Sequence, residues 1–108
     1  MRKAVILFKE EEAGVLTQLD DGTFSFRYID SWMTDSNKPG ISLNFPKSQQ
    51  EYYSNYLFPF FYNMLPEGSN KEVVCKHMQI DADDYFGLLM TTAKTDSIGA
   101  IRVIKIEQ

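Results

Sequence analysis

The residues of this chain that could do chemistry are few. It has one cysteine, Cys75, and one histidine, His77. A structural zinc site needs four ligands of these types, and covalent catalysis needs a nucleophile paired with a base, so neither arrangement is expected. His77 is predicted on the packed side or the rim of a helix, and Cys75 is predicted to be a buried, unreactive thiol. The sequence therefore predicts no catalytic residue and no metal site.

Three aspartates, Asp81, Asp83 and Asp84, are the other group that could do chemistry. The cluster lacks the glycine and the terminal glutamate of a calcium-binding loop. Aspartate is favoured at helix N-termini, where its carboxylate accepts backbone N–H groups, so Asp81 or Asp83 is predicted to cap the following helix. The six glycines stand singly, without the spacing of a phosphate-binding loop. No cofactor is predicted, and a protein without enzymatic activity is favoured.

Composition narrows the classes of protein further. The formal net charge is −4, and lysines and arginines occur singly or in pairs, so direct binding of nucleic acid is not expected. No apolar run is long enough to span a membrane, and the run at residues 4–8 ends in charged residues, unlike a signal peptide. A single cysteine cannot form an intramolecular disulfide, which fits a cytoplasmic protein. The length predicts one domain over residues 1–108.

The pattern along the chain predicts an α+β fold, with an antiparallel β-meander plus a C-terminal strand packed against about three short helices. An Asp-Gly turn at residues 21 and 22, followed by alternating aromatic and polar residues, is typical of a β-hairpin. Residues 30–40 are predicted to form turns and residues 47–54 a polar loop. The predicted strands cover residues 3–8, 14–19, 23–28, 41–45 and 99–106, with a turn at residues 10–12.

Three short helices are predicted in the second half of the chain. Pro59 fits the first turn of a helix, and Pro66 disfavours helical geometry in the residue before it. The second helix is predicted to begin near Glu67 or Ser69, where serine is a competent cap. Its apolar face is formed by Val73, Val74, His77 and Met78. The third helix follows the acidic cluster and is predicted to pack through Tyr85, Phe86, Leu88, Leu89 and Met90.

Seven aromatic residues occur between positions 52 and 62, more than a small core is expected to bury. The surplus is a candidate interface, because tyrosine, tryptophan and phenylalanine are enriched at protein contacts. The alternative, that these rings all cover the meander, stays open. The residues assigned to the core are Phe60, Phe61, Leu65 and Pro66. The predicted partner-binding residues are Trp32, Tyr52, Tyr53, Tyr56 and Phe58.

Several segments, in their order along the chain, resemble the N-terminal domain of HipA-type serine/threonine kinase toxins. They are GVL at residues 14–16, FSFRY at 24–28, SW at 31–32, ISL at 41–43, PFFYNMLPEG at 59–68 and DSIGA at 96–100. The resemblance covers nearly the whole chain, although the family commonly has glycine and cysteine where this chain has Lys94 and Ser97. It implies a domain without catalytic residues, from toxin–antitoxin systems involved in growth arrest and persistence.

The resemblance also implies a split system. The chain stops at Gln108, where the domain ends, and no kinase catalytic loop follows. Such a chain is similar to the small HipS-type antitoxins, so it is expected to dock on a separately encoded HipA/HipT-like kinase and neutralise it. An indirect association with a HipB-like DNA-binding protein is implied as well. Two alternatives stay open: a structural subunit that completes and activates the kinase, and an excised domain of a longer kinase.

Overall fold

The computed structural model describes residues 1–66, 68–93 and 100–106, with only the backbone described at residues 68 and 69. The strands are β1 (Arg2–Phe8), β2 (Glu11–Gln18), β3 (Phe24–Tyr28), β4 (Glu51–Ser54) and β5 (Ile101–Lys105). The helices are α1 (Asp30–Thr34), α2 (Pro59–Tyr62), α3 (Gly68–Met78) and α4 (Tyr85–Thr92). The strands form one antiparallel sheet in the order β4-β3-β2-β1-β5. The predicted α+β class is confirmed.

The first three strands form the predicted meander. A two-residue turn at Lys9 and Glu10, with φ values of 51° and 70°, joins β1 to β2. This turn lies ahead of the one predicted at residues 10–12, so β2 begins earlier than expected. The predicted Asp-Gly turn joins β2 to β3, where Gly22 has a φ of 88° and the Asp21 carboxylate accepts the Thr23 N–H at 2.9 Å.

The core lies on one face of the sheet. Ala4, Leu16 and Phe26 form a cross-strand row of fully buried side chains on that face. The ring centroids of Phe26 and of Phe61 in α2 lie 6.0 Å apart, so the helical layer packs directly on the row. The C-terminal strand β5 pairs with β1, as predicted, and completes the sheet.

The fourth strand differs from the predicted one. Residues 41–45 form turns, and β4 lies in the segment predicted to be a polar loop. The buried hydroxyl of Tyr28 accepts the Ile41 N–H at 3.0 Å and donates to the Phe45 carbonyl. These bonds hold both ends of the 41–45 segment, and the side chains of Ile41 and Phe45 enter the core from it. A tertiary contact therefore overrides the local alternation.

The helices differ from the predicted ones at their ends. α1 lies in a segment predicted to form turns, and α2 begins at Pro59 as predicted but has only four residues. α4 is capped by Asp84 instead of Asp81 or Asp83, because the Asp84 carboxylate accepts the Gly87 N–H at 3.1 Å. The Asp81 carboxylate instead accepts the Asp83 N–H at 2.9 Å, in the turn before the helix.

The apolar face predicted for α3 is largely exposed. Val73 is 64% exposed and Met78 is 47% exposed, and His77 is exposed as well. His77 is therefore not packed in the core, and Val74 is the residue of this predicted face that packs against it. Cys75 is buried, as predicted. Within the described ranges, no helix is long and apolar enough to cross a membrane.

Candidate functional site

The five predicted contact residues differ in exposure. Trp32 and Phe58 are core residues, with 3% and 8% of their surface exposed. The Trp32 indole N–H donates to the Pro39 carbonyl at 2.9 Å, and the Phe58 ring packs edge-on against Phe45 at a centroid distance of 5.1 Å. Their burial corrects the prediction for these two residues, because a side chain enclosed by its own core cannot meet a partner.

The three tyrosines reach different surfaces. Tyr52 is half-buried, and its hydroxyl donates to the Pro46 carbonyl at 2.5 Å. Tyr53 is 67% exposed, and its hydroxyl donates to the Glu51 carboxylate. Tyr56 follows the end of β4 and is 80% exposed. Because successive strand residues face opposite sides of a sheet, Tyr52 and Tyr53 cannot belong to one flat patch. Partner contact by these tyrosines stays a prediction.

Tyr56 lines an aromatic groove of about 360 Å³, named here the Tyr56 groove. The rings of Tyr62 and Tyr85 meet edge to face in it, with centroids 5.5 Å apart, and Tyr62 is 48% exposed. The Lys71 ammonium lies 5.2 Å from the centre of the Tyr85 ring, within the range of a cation–π attraction. The aromatic and apolar lining consists of Phe24, Tyr56, Leu57, Tyr62, Tyr85 and Phe86.

Three structural elements position this lining. Leu57 is buried next to Tyr56, so the chain is anchored beside the exposed ring. Tyr62 is the last residue of α2, and Tyr85 is the first residue of α4. The sequence predictions placed Tyr85 on the packed face of its helix and did not select Tyr62 as a contact. Tyr62 belongs to the same aromatic run as Tyr56, but Tyr85 is distant in the chain, and only the fold brings it beside them.

The groove is suited to an apolar or aromatic side chain of another protein. Its ring faces can bury apolar surface, while the tyrosine hydroxyls can form hydrogen bonds at the rim. Asp83 adds a negative charge to the lining, and Gln18 and Asn55 add neutral polar groups. Because the Lys71 ammonium lies against the Tyr85 ring, one positive and one negative charge stand at the groove, and its aromatic rings dominate its chemistry.

A larger cleft of about 590 Å³ lies beside β5 and α4. The Arg2 guanidinium donates to both oxygens of the Asp84 carboxylate, at 2.6 and 3.0 Å, and lies 5.2 Å from the centre of the Phe86 ring. These bonds from Arg2, with a smaller contribution from the Gly87 N–H, hold the pKa of Asp84 below its ordinary value, although burial raises it. The charges neutralise each other, so they form a structural joint between β1 and α4.

The residues with the most obvious chemistry do not converge on a site. His77 is exposed and Cys75 is buried, although both belong to α3. In the part of the chain that the structure describes, no group of three or more histidine, cysteine, aspartate or glutamate residues could hold a metal ion. The Tyr56 groove is therefore the candidate functional site.

The chain is a small α+β domain. It has a single antiparallel sheet with helices on its core face, and an exposed aromatic groove. The chain belongs to the HipA N-terminal domain family, which matches residues 4–104. This confirms the family resemblance and relates the chain to HipA-type toxin–antitoxin proteins. Of the segments that carry the resemblance, most of the one at residues 96–100 lies outside the described residues, as do Lys94 and Ser97.

The relatives include both short and long proteins. An uncharacterized protein of Haemophilus influenzae is 30% identical over 108 residues, which cover 100% of this chain and 96% of that protein. The putative kinase Y4mE of Sinorhizobium fredii is 28% identical over 95 residues, which cover 88% of this chain but 22% of that protein. A solved structure of the N-terminal domain of HipA toxin has a TM-score of 0.73 and 29% identity, and the match covers 100% of this chain and 95% of that one.

Proposed function

We propose that this chain is a non-catalytic binding module that docks on a separately encoded HipA-like serine/threonine kinase toxin and neutralises it, as a HipS-like antitoxin. The family supports this proposal, since the whole chain matches the N-terminal domain of a HipA toxin. In a relative named as a putative kinase, the matching segment is 22% of the protein. A domain that accompanies a kinase within one protein is a natural partner for a kinase in a separate one.

The Tyr56 groove is the observation that carries the proposal. Tyr56 is 80% exposed, and it stands beside Tyr62, which is 48% exposed. Leaving large rings in water next to an apolar groove forgoes the free energy that their burial would supply. Tyrosine is also enriched among the residues that dominate binding energy at interfaces. A partner side chain in the groove would bury these rings together.

The proposal includes the direction of the effect on kinase activity, which is inhibition. An antitoxin inhibits its kinase, whereas a structural subunit that completes the kinase would activate it through the same surface. For DNA, the net charge of −4 favours an indirect role through a HipB-like protein over direct contact.

The docking test is co-expression with a HipA-like kinase encoded beside this chain, followed by purification of the complex. Kinase autophosphorylation is then measured with and without the chain. We expect a complex to purify and autophosphorylation to fall. A rise would assign the chain to the activating alternative, and the absence of any complex would refute docking.

The groove test compares two substitutions of exposed residues. Tyr56→Ala should weaken kinase binding by about 30-fold, which corresponds to the roughly 2 kcal/mol of an aromatic hot spot. The matched control is Leu43→Ala, because Leu43 is 100% exposed but does not line the groove. The control should change affinity by less than about threefold. Urea unfolding of both variants shows whether the fold is intact, and equal losses of affinity would contradict a role for the groove.

A further inference from the structure

One edge of the sheet is open along β4. Among the strands of the described residues, β4 has β3 as its only neighbour in the sheet. The Tyr28 N–H donates to the Gln50 carbonyl at 3.0 Å, so Gln50 faces β3 with its backbone groups. This bond fixes which residues of β4 face β3 and which face away from it. In an antiparallel ladder, every second residue bonds to the neighbouring strand. Tyr52 therefore bonds to β3 through its backbone, whereas Tyr53 directs its N–H and C=O away from β3.

The open backbone groups are centred on Tyr53. Among the residues that the structure describes, none bonds to the N–H or C=O of Tyr53. The outward carbonyl of Glu51 already has a partner, since it accepts a hydrogen bond from the Gln49 amide at 2.5 Å. Tyr53 is 67% exposed, so solvent reaches this part of the edge.

The opposite edge of the sheet is covered at Val103. Val103 of β5 also directs its N–H outward, but that group donates to the Ala93 carbonyl at the end of α4, at 3.0 Å. Native edge strands are usually protected by such cover, by proline, by lysine or by a bulge, because an open edge pairs with other chains. β4 has the sequence EYYS and a regular register with β3, so it has no proline, lysine or bulge. Its short length and the charge of Glu51 are the protections it does have, and they leave the N–H and C=O of Tyr53 open.

We propose that an extended segment of the partner kinase adds to β4 as a further strand of the sheet and pairs with the backbone of Tyr53. This inference rests on the proposed function, since it names a contact of the same partner. An open edge recognises an extended peptide mainly through backbone hydrogen bonds, while alternate side chains supply specificity. The segment should place a β-branched or aromatic residue beside Tyr53 and a neutral or basic residue beside Glu51.

Three features favour a kinase segment over a second copy of this chain. β4 has four residues, and so short a pairing cannot bury the roughly 800 Å² per partner of a stable interface. The edge instead continues into the Tyr56 groove, because Asn55 and Tyr56 both line that groove. One partner that follows the edge and fills the groove would bury both surfaces. A net charge of −4 on each copy also opposes self-association.

The first test compares two substitutions at one position, in the complex of the full chain with its kinase. Tyr53→Ala removes the side chain and keeps the outward N–H, whereas Tyr53→Pro removes that N–H as well. Proline is tolerated here because the N–H of an outward-facing edge residue is not part of the ladder. Tyr53→Pro should bind at least about tenfold more weakly than Tyr53→Ala, since a carbonyl of the partner loses its donor.

Amide hydrogen exchange is the second test, and it needs no substitution. In the free chain, the Tyr53 amide should exchange rapidly and the Tyr52 amide slowly, because only the latter bonds to β3. Kinase binding should slow exchange at Tyr53 by about tenfold or more and leave Tyr52 nearly unchanged. This measurement is decisive if Tyr53→Pro does not fold.

The outcomes separate this inference from the proposed function. If the wild-type chain and the kinase form no complex, the proposed function fails and strand addition fails with it. If the complex forms but the Tyr53 amide still exchanges rapidly, or Tyr53→Pro binds as tightly as Tyr53→Ala, strand addition alone is overturned. If the chain dimerises by itself and Tyr53→Pro makes it monomeric, a second copy occupies the edge, which also overturns the proposal.

Discussion

Asp84 is predicted to stabilise the junction between the sheet and α4, and replacing it by asparagine tests that role. Its carboxylate accepts hydrogen bonds from the Arg2 guanidinium at 2.6 and 3.0 Å and from the Gly87 N–H at 3.1 Å. A Cβ atom on Gly87 would lie 2.4 Å from the carboxylate, so glycine leaves the room that this arrangement needs. The three residues join the start of β1 to the first turn of α4.

The size of the expected loss follows from this geometry. Asparagine caps helices about as well as aspartate, so the bond to Gly87 survives the change and only the ion pair is lost. The side chains of Arg2 and Asp84 are 38% and 34% exposed, and solvent screening limits such a pair to about 1 kcal/mol. Asp84→Asn should therefore lower the free energy of unfolding by about 1 kcal/mol. Asp84→Ala also removes the cap and should lower it by about 2 kcal/mol.

The effect of Asp84→Asn should depend on pH. The bonds from Arg2, followed by the Gly87 N–H, hold the pKa of Asp84 below the ordinary carboxyl value of 3.8. A carboxyl group whose pKa is lowered by folding stabilises the fold above its unfolded-state pKa, and this stability is lost as pH falls through the folded-state pKa. The difference from wild type should be full at neutral pH and should shrink below about pH 4.

Urea unfolding, followed by circular dichroism from neutral pH down to acid pH, measures this difference. The matched control is Asp83→Asn, since the Asp83 side chain is exposed and makes no hydrogen bond or ion pair with any residue in the described ranges. The control should change the free energy of unfolding by less than about 0.5 kcal/mol. Equal effects of the two substitutions at neutral pH, or an undiminished effect of Asp84→Asn in acid, would refute the role of the ion pair.

Three further substitutions test the sheet and its turns by urea unfolding. Tyr28→Phe removes a buried hydroxyl that serves two backbone groups and should cost about 1–3 kcal/mol, so a neutral effect would contradict that role. Lys9→Asn should stabilise the fold by about 0.5–1 kcal/mol, because asparagine tolerates a φ of 51°; Lys9→Ala should bring no such gain. Gly14→Ala should cost about 1–3 kcal/mol, because its Cβ would lie 2.7 Å from the Arg27 carbonyl and the Phe26 ring; an unchanged midpoint would show that this contact relaxes freely.

Sequence patterns succeed where conformation depends on near neighbours. The Asp-Gly turn and the alternation after it predict β3, and Pro59 predicts the start of α2, because both signals act within a few residues. Local pattern also predicts a strand at residues 41–45, and this prediction is wrong. There the deciding contact is the hydroxyl of Tyr28, which comes from a different strand. A local sequence pattern cannot predict a hydrogen bond between residues that are distant in the chain.

The candidate interaction surface is also predicted partly by the sequence and decided partly by the fold. Composition predicts more aromatic rings than the core is expected to bury, but it does not show which rings are buried and which are exposed. The fold buries Trp32 and Phe58, exposes Tyr56 and brings Tyr62 and Tyr85 beside it. Each outcome depends on which surface another element covers, so no property of the ring itself could predict it.

The sequence by itself determined the α+β class, the β2–β3 hairpin, the start of α2 and the HipA N-terminal family, because local propensity and long motifs carry that information. The tertiary structure decided which rings form the groove and which edge of the sheet stays open. Burial and edge pairing depend on residues that are distant in the chain, and these meet only when the sheet and its helices pack together.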